Sequence, residues 1–314
     1  MDSQMSIQQN DKIIPEKPEF YSQGSSSEIY TFFEDLPNLF QGSKDLNLAI
    51  EELKELSSDK YDWKTHFDLI DQLRSLNKFY PEIMNQNLDF FTSFIQKSMN
   101  SLRSNLTKNA LILVREIFEQ SKDCTPSFDF LKVIIHSTLD RAISDKAFIK
   151  NEARAAMKVL EKNGFNDSII QILCEKSFDK NASISELSFL TIAEIAKEGK
   201  ENLLQRLSFI SLQILFETIA KAVNGKRSVI IKAAEGICQQ FKGIFPENQE
   251  SFDDFLRNNL KLKDNEVNAI LNAAKEKKSR PSKSDFANFI KEQKSMKEGE
   301  KNDGFFVMAT SNCK

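Results

Sequence analysis

The chain has 314 residues, of which only nine are glycine and seven are proline. These two residues average about 12% of globular proteins, and their scarcity here excludes collagen-like and proline-rich classes and disfavours an all-β sandwich. Hydrophobic residues make up 40% of the chain and charged residues 28%, so a large buried core is expected. The net charge of −3 argues against a nucleic-acid partner, for which a basic domain is expected.

Four scattered cysteines indicate a reducing compartment. They are Cys124, Cys174, Cys238 and Cys313, and none stands in a CxxC pair or at another metal-ligand spacing. The first residues are polar, and the longest apolar run, residues 207–216, is interrupted by polar side chains and is too short to span a bilayer. We therefore expect a cytosolic protein without signal peptide, membrane contact, metal or cofactor.

Composition divides the chain into two tails and a helical centre. Residues 1–42 carry seven acidic and two basic residues and predict a mostly disordered acidic tail, although the apolar segment 29–40 suits docking on another surface. Residues 43–277 carry a continuous series of helical patterns and form the predicted domain. Residues 278–314 predict a basic, largely disordered tail.

Apolar residues recur at helical spacing along the central region. The first apolar stripe covers residues 46–56 and the second covers residues 63–76, which end before Pro81. Pro81 and Pro126 each suit the first turn of the helix that follows. Glycines fall after or between helical runs, where helices commonly end. The sequence predicts about twelve helices joined by short loops.

An internal repeat is visible at the start of every second helix. An apolar residue is followed four positions later by a small or apolar one, at intervals of 43, 43, 35 and 45 residues, with a looser sixth copy. Helix pairs at such intervals are typical of HEAT and armadillo arrays. The expected fold class is therefore an all-α solenoid of about six HEAT-like helix pairs. The repeat residues are Trp63/Phe67, Leu106/Ala110, Ile149/Ala153, Ile184/Ser188, Val229/Ala233 and Asn265/Ala269.

A loop that carries Lys or Arg lies at the start of the second helix in the first five copies. Such loops emerge on the same edge of a helix-pair solenoid, so their cations predict a basic ridge that suits an acidic protein surface. Trp63, the only tryptophan, either packs between helices or is an exposed anchor for a partner. The candidate binding residues of this edge are Trp63, Lys64, Arg103, Asn105, Lys146, Lys150, Lys180, Asn181, Lys226 and Arg227.

Two segments resemble a known family. The run 62–76 (DWKTHFDLIDQLRSL) resembles the opening repeat of TOG domains, particularly those of the CLASP and crescerin families. The run 101–106 (SLRSNL) is similar to the turn and helix start of CLASP-type second repeats. The resemblance covers residues 43–277 and implies a paddle of six HEAT repeats whose loop edge binds the αβ-tubulin heterodimer.

The resemblance also implies how the loop edge divides between the tubulin subunits. Residues of the first two loops would face β-tubulin, namely Trp63, Arg103 and Asn105, and residues of the fourth and fifth loops would face α-tubulin, namely Lys180, Lys226 and Arg227. Family members usually carry several TOG domains, so a single one favours lattice binding over polymerase activity. The implied location is the cytoplasm and cytoskeleton, including the axoneme, where the tails meet other microtubule-associated or ciliary proteins.

The sequence offers no catalytic constellation. His66 and His136 have no Cys, Ser or carboxylate at triad or metal-ligand spacing, and the apolar run around His136 favours a structural role. No glycine-rich phosphate loop occurs. We therefore expect a binding protein rather than an enzyme. The alternative to tubulin binding is a HEAT scaffold that holds another protein or a peptide on its concave helical face.

Overall fold

A computed structural model describes residues 30–41, 46–120, 126–163, 166–199, 203–245 and 251–275. Within these ranges the regular structure is helical throughout, which confirms the all-α prediction. The helices are α1 (Leu46–Leu56), α2 (Trp63–Phe79), α3 (Pro81–Met99), α4 (Ser104–Gln120), α5 (Phe128–Ala142), α6 (Ala147–Asn163), α7 (Asp167–Lys176), α8 (Ala182–Gly199), α9 (Leu203–Arg206), α10 (Phe209–Val223), α11 (Ser228–Ile244), α12 (Phe252–Asp254) and α13 (Asp264–Ala273). A π-helical turn, Phe255–Asn259, follows α12.

The long helices form two rows. In the first row α3, α5, α7, α10 and α13 pack on one another in that order, and in the second row α2, α4, α6, α8 and α11 do the same. Each first-row helix from α3 to α10 also packs on the second-row helix that follows it in the chain, and α1 packs on α2. Helix pairs stacked in this way define a HEAT- or armadillo-like solenoid, as predicted.

The predicted repeat residues are buried in three of the six pairs, namely Leu106/Ala110, Ile149/Ala153 and Ile184/Ser188. The fifth pair is wrong by one residue, because Ile230 and Ala234 are buried while Val229 is 44% exposed. Neighbouring residues of a helix point about 100° apart, so an i, i+4 pattern fits two adjacent stripes equally well. Asn265 is exposed, so the sixth pair is also wrong, and in the first pair only Phe67 is buried.

Residues 30–41 pack along α2 and reach the start of α4. Leu36 and Phe40 are buried, and the Arg74 guanidinium donates to the Thr31 carbonyl at 2.7 Å. The apolar segment that the sequence marks for docking therefore contacts the helices, and the predicted boundary at residue 43 falls after these contacts. The other residues of the predicted N-terminal tail lie outside the described ranges.

Contacts divide the chain into two units, residues 1–274 and 275–314. All helices named above belong to the first unit, and the predicted C-terminal tail, residues 278–314, lies outside the described ranges. None of the described helices is both long and apolar enough to cross a bilayer.

Candidate protein-binding edge

Five loops lead from a first-row helix, or from α1, into the second-row helix that follows. We number them loops 1 to 5 in chain order and call the edge that they occupy the loop edge. They are residues 57–62, 100–103, 143–146, 177–181 and 224–227.

Neighbouring loops contact one another in a recurring way. In three places a cation of one loop reaches the first residue of the preceding second-row helix. The contacts join the Arg103 guanidinium to the Trp63 ring (5.7 Å to the ring centre), Lys146 Nζ to Ser104 Oγ (2.6 Å) and Arg227 to the Ala182 carbonyl (3.2 Å). Loops 2, 3 and 5 are thereby each linked to the start of the preceding second-row helix.

Most of the predicted site residues face solvent. The exposed ones are Trp63, Lys64, Arg103, Lys146, Lys180, Asn181, Lys226 and Arg227. Lys150 and Asn105 are half-buried, and the Asn105 amide oxygen accepts a hydrogen bond from the Tyr30 hydroxyl at 3.2 Å. Burial raises the pKa of Tyr30, which keeps this hydroxyl a donor. Of the ten residues, Asn105 is therefore the one already held by the segment 30–41.

Three of the five helices that begin at the opposite end of the pairs have favourable N-caps. Ser127, Asn166 and Ser208 precede α5, α7 and α10, and each side-chain oxygen accepts a backbone N–H from the first turn, at 2.9–3.3 Å. Ser and Asn are among the best N-cap residues, because a short side chain satisfies a donor that the helix itself leaves unpaired. These three caps stabilise their helices, whereas Tyr80 before α3 and Lys263 before α13 form no side-chain cap bond.

Cations precede three of the five helices that begin at the loop edge. Arg103, Lys146 and Arg227 directly precede α4, α6 and α11, and their carbonyl oxygens accept first-turn hydrogen bonds. Arg and Lys side chains carry only donors, so they cannot cap a helix, and a cation at the positive helix end costs about 0.3–1 kcal/mol. Asp62 and Asn181 do cap α2 and α8. The loop edge thus holds three cations at positions that are unfavourable for helix stability.

The loop edge also exposes large apolar side chains beside its cations. Leu102 in loop 2 is 96% exposed and Phe178 in loop 4 is 52% exposed. Phe148 and Val229, in the first turns of α6 and α11, are 43% and 44% exposed. None of these four is among the residues that the sequence predicts for the site. The signal that could have identified them is an apolar residue within two positions of a loop cation.

A pocket of about 130 Å³ opens beside Trp63 at the loop edge. Its lining consists of Asp59, Trp63, His66, Phe94, Lys97, Ser98, Ser101 and Leu106. The Asp59 carboxylate accepts a hydrogen bond from Lys97 Nζ at 2.6 Å, and this bond lowers the pKa of Asp59. His66 Nε2 lies 3.2 Å from the Ser58 carbonyl, and its ring meets Phe94 edge-on. The pocket therefore combines aromatic walls with an ion pair.

A buried ion pair joins the first two helices of the second row. Arg74 of α2 and Glu116 of α4 are each 1% exposed, and the guanidinium donates to the carboxylate at 2.7 and 2.9 Å. Asn109 Oδ1 accepts a further hydrogen bond from Arg74 at 3.2 Å. Burial raises the pKa of Glu116, and Arg74 opposes that rise. Arg74 lies in the TOG-like run, yet the sequence assigns it no role.

The remaining titratable groups of the interior are dispersed. Burial lowers the pKa of His136 and raises the pKa of the Cys174 and Cys238 thiols to about 12, so these thiols stay protonated and unreactive. Within the described ranges no three His, Cys, Asp or Glu side chains are placed to hold a metal ion.

Fold and edge together define the class of this protein as a HEAT- or armadillo-like helical-repeat protein. No family model and no curated protein matches its sequence. A solved structure described as "TOG-tubulin binding specificity promotes microtubule dynamics and mitotic spindle formation" is similar at 12% identity and a TM-score of 0.46, over 79% of this chain and 90% of that chain. A designed armadillo repeat protein is similar at 13% identity and a TM-score of 0.34, over 71% and 99%. Another, in complex with the peptide (KR)4, has 12% identity and a TM-score of 0.34, over 71% and 98%. Likenesses this weak carry no argument about function.

Proposed function

We propose that the chain is a non-enzymatic protein that binds αβ-tubulin or the microtubule lattice through the loop edge. The observation that carries this proposal is the contrast in N-caps. Arg and Lys directly precede three of the five described helices that begin at the loop edge, whereas a single cation, Lys263, precedes one of the five that begin at the other end. A cation at an N-cap opposes helix stability, and binding to an acidic partner supplies a reason for it.

The two side-chain types of the loop edge have separate tasks in this proposal. Exposed apolar residues such as Leu102 and Phe178 supply contact area that leaves water when a partner docks. The cations set the orientation and raise the association rate with an acidic surface. Tubulin is acidic, and a row of five loops is long enough to reach both of its subunits.

The finer assignment rests on the TOG-like residues of the first two repeats. We propose a TOG domain of the CLASP or crescerin type, with Trp63, Arg103 and Asn105 toward β-tubulin and Lys180, Lys226 and Arg227 toward α-tubulin. The resulting activity is regulation of microtubule dynamics or stability, in the cytoplasm and on the cytoskeleton, the cilium included. Binding that prefers curved or straight tubulin would shift polymerisation, because a ligand biases a conformational equilibrium only through such a preference.

The competing function is a scaffold that binds a protein or peptide on the face of the second-row helices. Residues 30–41 contact α2 and α4 through Thr31 and Tyr30, so the first part of that face is already covered by the chain itself. The part left for a scaffold partner is formed by α6, α8 and α11, where Leu190 is 37% exposed.

Gel filtration and co-sedimentation with tubulin test the proposal. The double variant Trp63→Glu, Lys226→Glu is expected to weaken binding at least about tenfold, because it places two carboxylates on an edge that faces an acidic surface. The matched control is Phe79→Glu, Lys242→Glu. Phe79 is 38% exposed, as is Trp63, and lies about 25 Å along the same helix. Lys242 lies in the last turn of α11.

Three outcomes separate the alternatives. Loss of binding in the loop-edge variant alone, with wild-type binding that weakens as salt is added, supports the loop edge. Equal binding by wild type and both double variants contradicts it. If Leu190→Glu abolishes partner binding while the loop-edge variant retains it, the scaffold function is the correct one. Gel filtration reports free tubulin and co-sedimentation reports the lattice, so the pair of assays also identifies the target.

A further inference from the structure

We infer that the pocket beside Trp63 receives one apolar side chain of the protein that docks on the loop edge, and that a carboxylate flanks this side chain in the partner. The inference rests on the proposed function and adds to it a specific anchor site and its chemistry. The partner is recognised by an apolar residue next to Asp or Glu.

The size of the pocket fits one such side chain. Its volume is about 130 Å³, whereas a water molecule takes up about 30 Å³ and a cavity of about 150 Å³ holds a benzene molecule. Four of its lining residues, Trp63, His66, Phe94 and Leu106, present aromatic or aliphatic surface. Such walls favour a leucine-sized or ring-sized group over a charged one.

The position of the pocket is that of an interface anchor. Binding energy in protein interfaces concentrates in pockets that exclude water and are lined by residues such as Trp, with polar groups around them. Here Trp63 is the exposed wall, and the Lys97–Asp59 ion pair, with a separation of 2.6 Å, lines the same pocket. Both side chains of that pair are more than half exposed, so the pair is placed on the solvent side.

The charges around the pocket favour an anion in the partner. Asp59 is paired with Lys97, and Asp62 accepts hydrogen bonds from the Thr65 backbone and hydroxyl at 2.9 Å. Asp59 and Asp62 thus both have partners within this chain. Arg103 lies 5.7 Å from the Trp63 ring centre and forms no ion pair with a described residue. A carboxylate beside the inserted side chain would pair with Arg103.

The variant Ser98→Leu tests the pocket directly. Ser98 lines the pocket and is 2% exposed, so the added leucine fills the space without changing any charge. The expected result is at least a tenfold increase in the Kd for tubulin, measured by surface-immobilised binding. Thr92→Leu is the matched control, because Thr92 lies in the same helix, is half-buried and does not line the pocket.

The outcomes separate this inference from the proposed function. If wild type binds tubulin and a folded Ser98→Leu variant binds equally well, the pocket is not an anchor, yet the loop edge stands. If wild type binds neither tubulin nor the microtubule lattice, both are wrong. Should Ser98→Leu lose its helical circular dichroism, Ser101→Leu fills the pocket from loop 2 and replaces it. Arg103→Gln is expected to bind more weakly than wild type at low salt and to approach wild-type affinity at high salt. An equal loss of affinity at both salt concentrations contradicts the flanking carboxylate.

Discussion

The variant Arg74→Met tests how the first two repeats are held together. Arg74 is 1% exposed and donates to Glu116, to Asn109 and to the Thr31 carbonyl. Methionine keeps the unbranched stem but removes every donor, so Glu116 stays in the interior without its cation. The same change frees residues 30–41 from one of their anchors on α2.

The magnitude follows from what is left unpaired. Removing one partner of a buried ion pair costs about 3–5 kcal/mol, and a lost hydrogen bond such as that to Thr31 adds about 1 kcal/mol. We expect the free energy of unfolding to fall by about 4 kcal/mol, because Glu116 can take up a proton, which reduces the cost of leaving its carboxylate buried and unpaired. For a unit of this size the melting temperature should fall by about 10 °C. The double variant Arg74→Met, Glu116→Leu should recover most of the loss, since no buried charge remains.

The pH dependence has a definite sign. Burial already raises the pKa of Glu116 against the opposing effect of Arg74, so removal of Arg74 raises it further. A carboxyl group whose pKa is higher in the folded state stabilises the fold below its unfolded pKa, about 4.3, and that stabilisation is lost as the pH rises through the folded pKa. The deficit of Arg74→Met relative to wild type is therefore smaller at pH 5 than at pH 8.

Urea unfolding followed by circular dichroism at pH 5 and pH 8 measures the stability lost in Arg74→Met, the part recovered in the double variant, and the change of the loss with pH. A loss below about 1 kcal/mol for Arg74→Met would show that the ion pair is not structurally important. A double variant no more stable than the single one would refute the reasoning about the unpaired carboxylate. A deficit that grows toward pH 5 would contradict the assigned direction of the Glu116 pKa.

Two substitutions in α11 are expected to stabilise the chain, with opposite consequences for binding. Gly236→Ala should raise the free energy of unfolding by about 0.5–1 kcal/mol and the melting temperature by about 2 °C. Gly236 lies inside the helix, and an added Cβ meets nothing within 4 Å. Tubulin binding by this variant should be unchanged and serves as its control. Arg227→Asp should raise the free energy of unfolding by about 1 kcal/mol, because Asp is a favourable N-cap residue. Arg227 occupies the N-cap position in an extended conformation and forms no side-chain cap bond. The same variant should weaken tubulin binding. Unchanged binding would remove Arg227 from the site, and a lower melting temperature would contradict the argument from caps.

Helix positions were predictable because their signals are local. Pro81 opens α3, as the pattern indicates. Loop placement also follows from the sequence, since successive helix pairs bring every second loop to the same edge. The register of α11 was not predictable, because Ile230 and Val229 fit the apolar pattern equally well. Only packing between helices decides which of the two is buried.

Much of the candidate site depends on contacts between residues about forty positions apart. The pocket joins Trp63 at the start of α2 to Phe94 and Leu106, which belong to the next repeat. An exposed leucine such as Leu102 looks like a core residue in the sequence, because apolar residues are buried by default. For the same reason Arg74 looks like a surface residue until its partner on α4 is known.

The cations that directly precede three helices at the loop edge are unfavourable for helix stability. A good N-cap stabilises by about 0.5–2 kcal/mol relative to a residue that cannot cap, and a cation at the same position costs about 0.3–1 kcal/mol more. Three such positions, Arg103, Lys146 and Arg227, therefore forgo roughly 3 kcal/mol or more, against a typical total stability of about 5–15 kcal/mol. Each of these cations gains one contact with a neighbouring helix start, and local rules broken in this way are typical of functional sites. Asp62 and Asn181 show that normal caps fit this edge, so the fold does not require a cation at the other three positions.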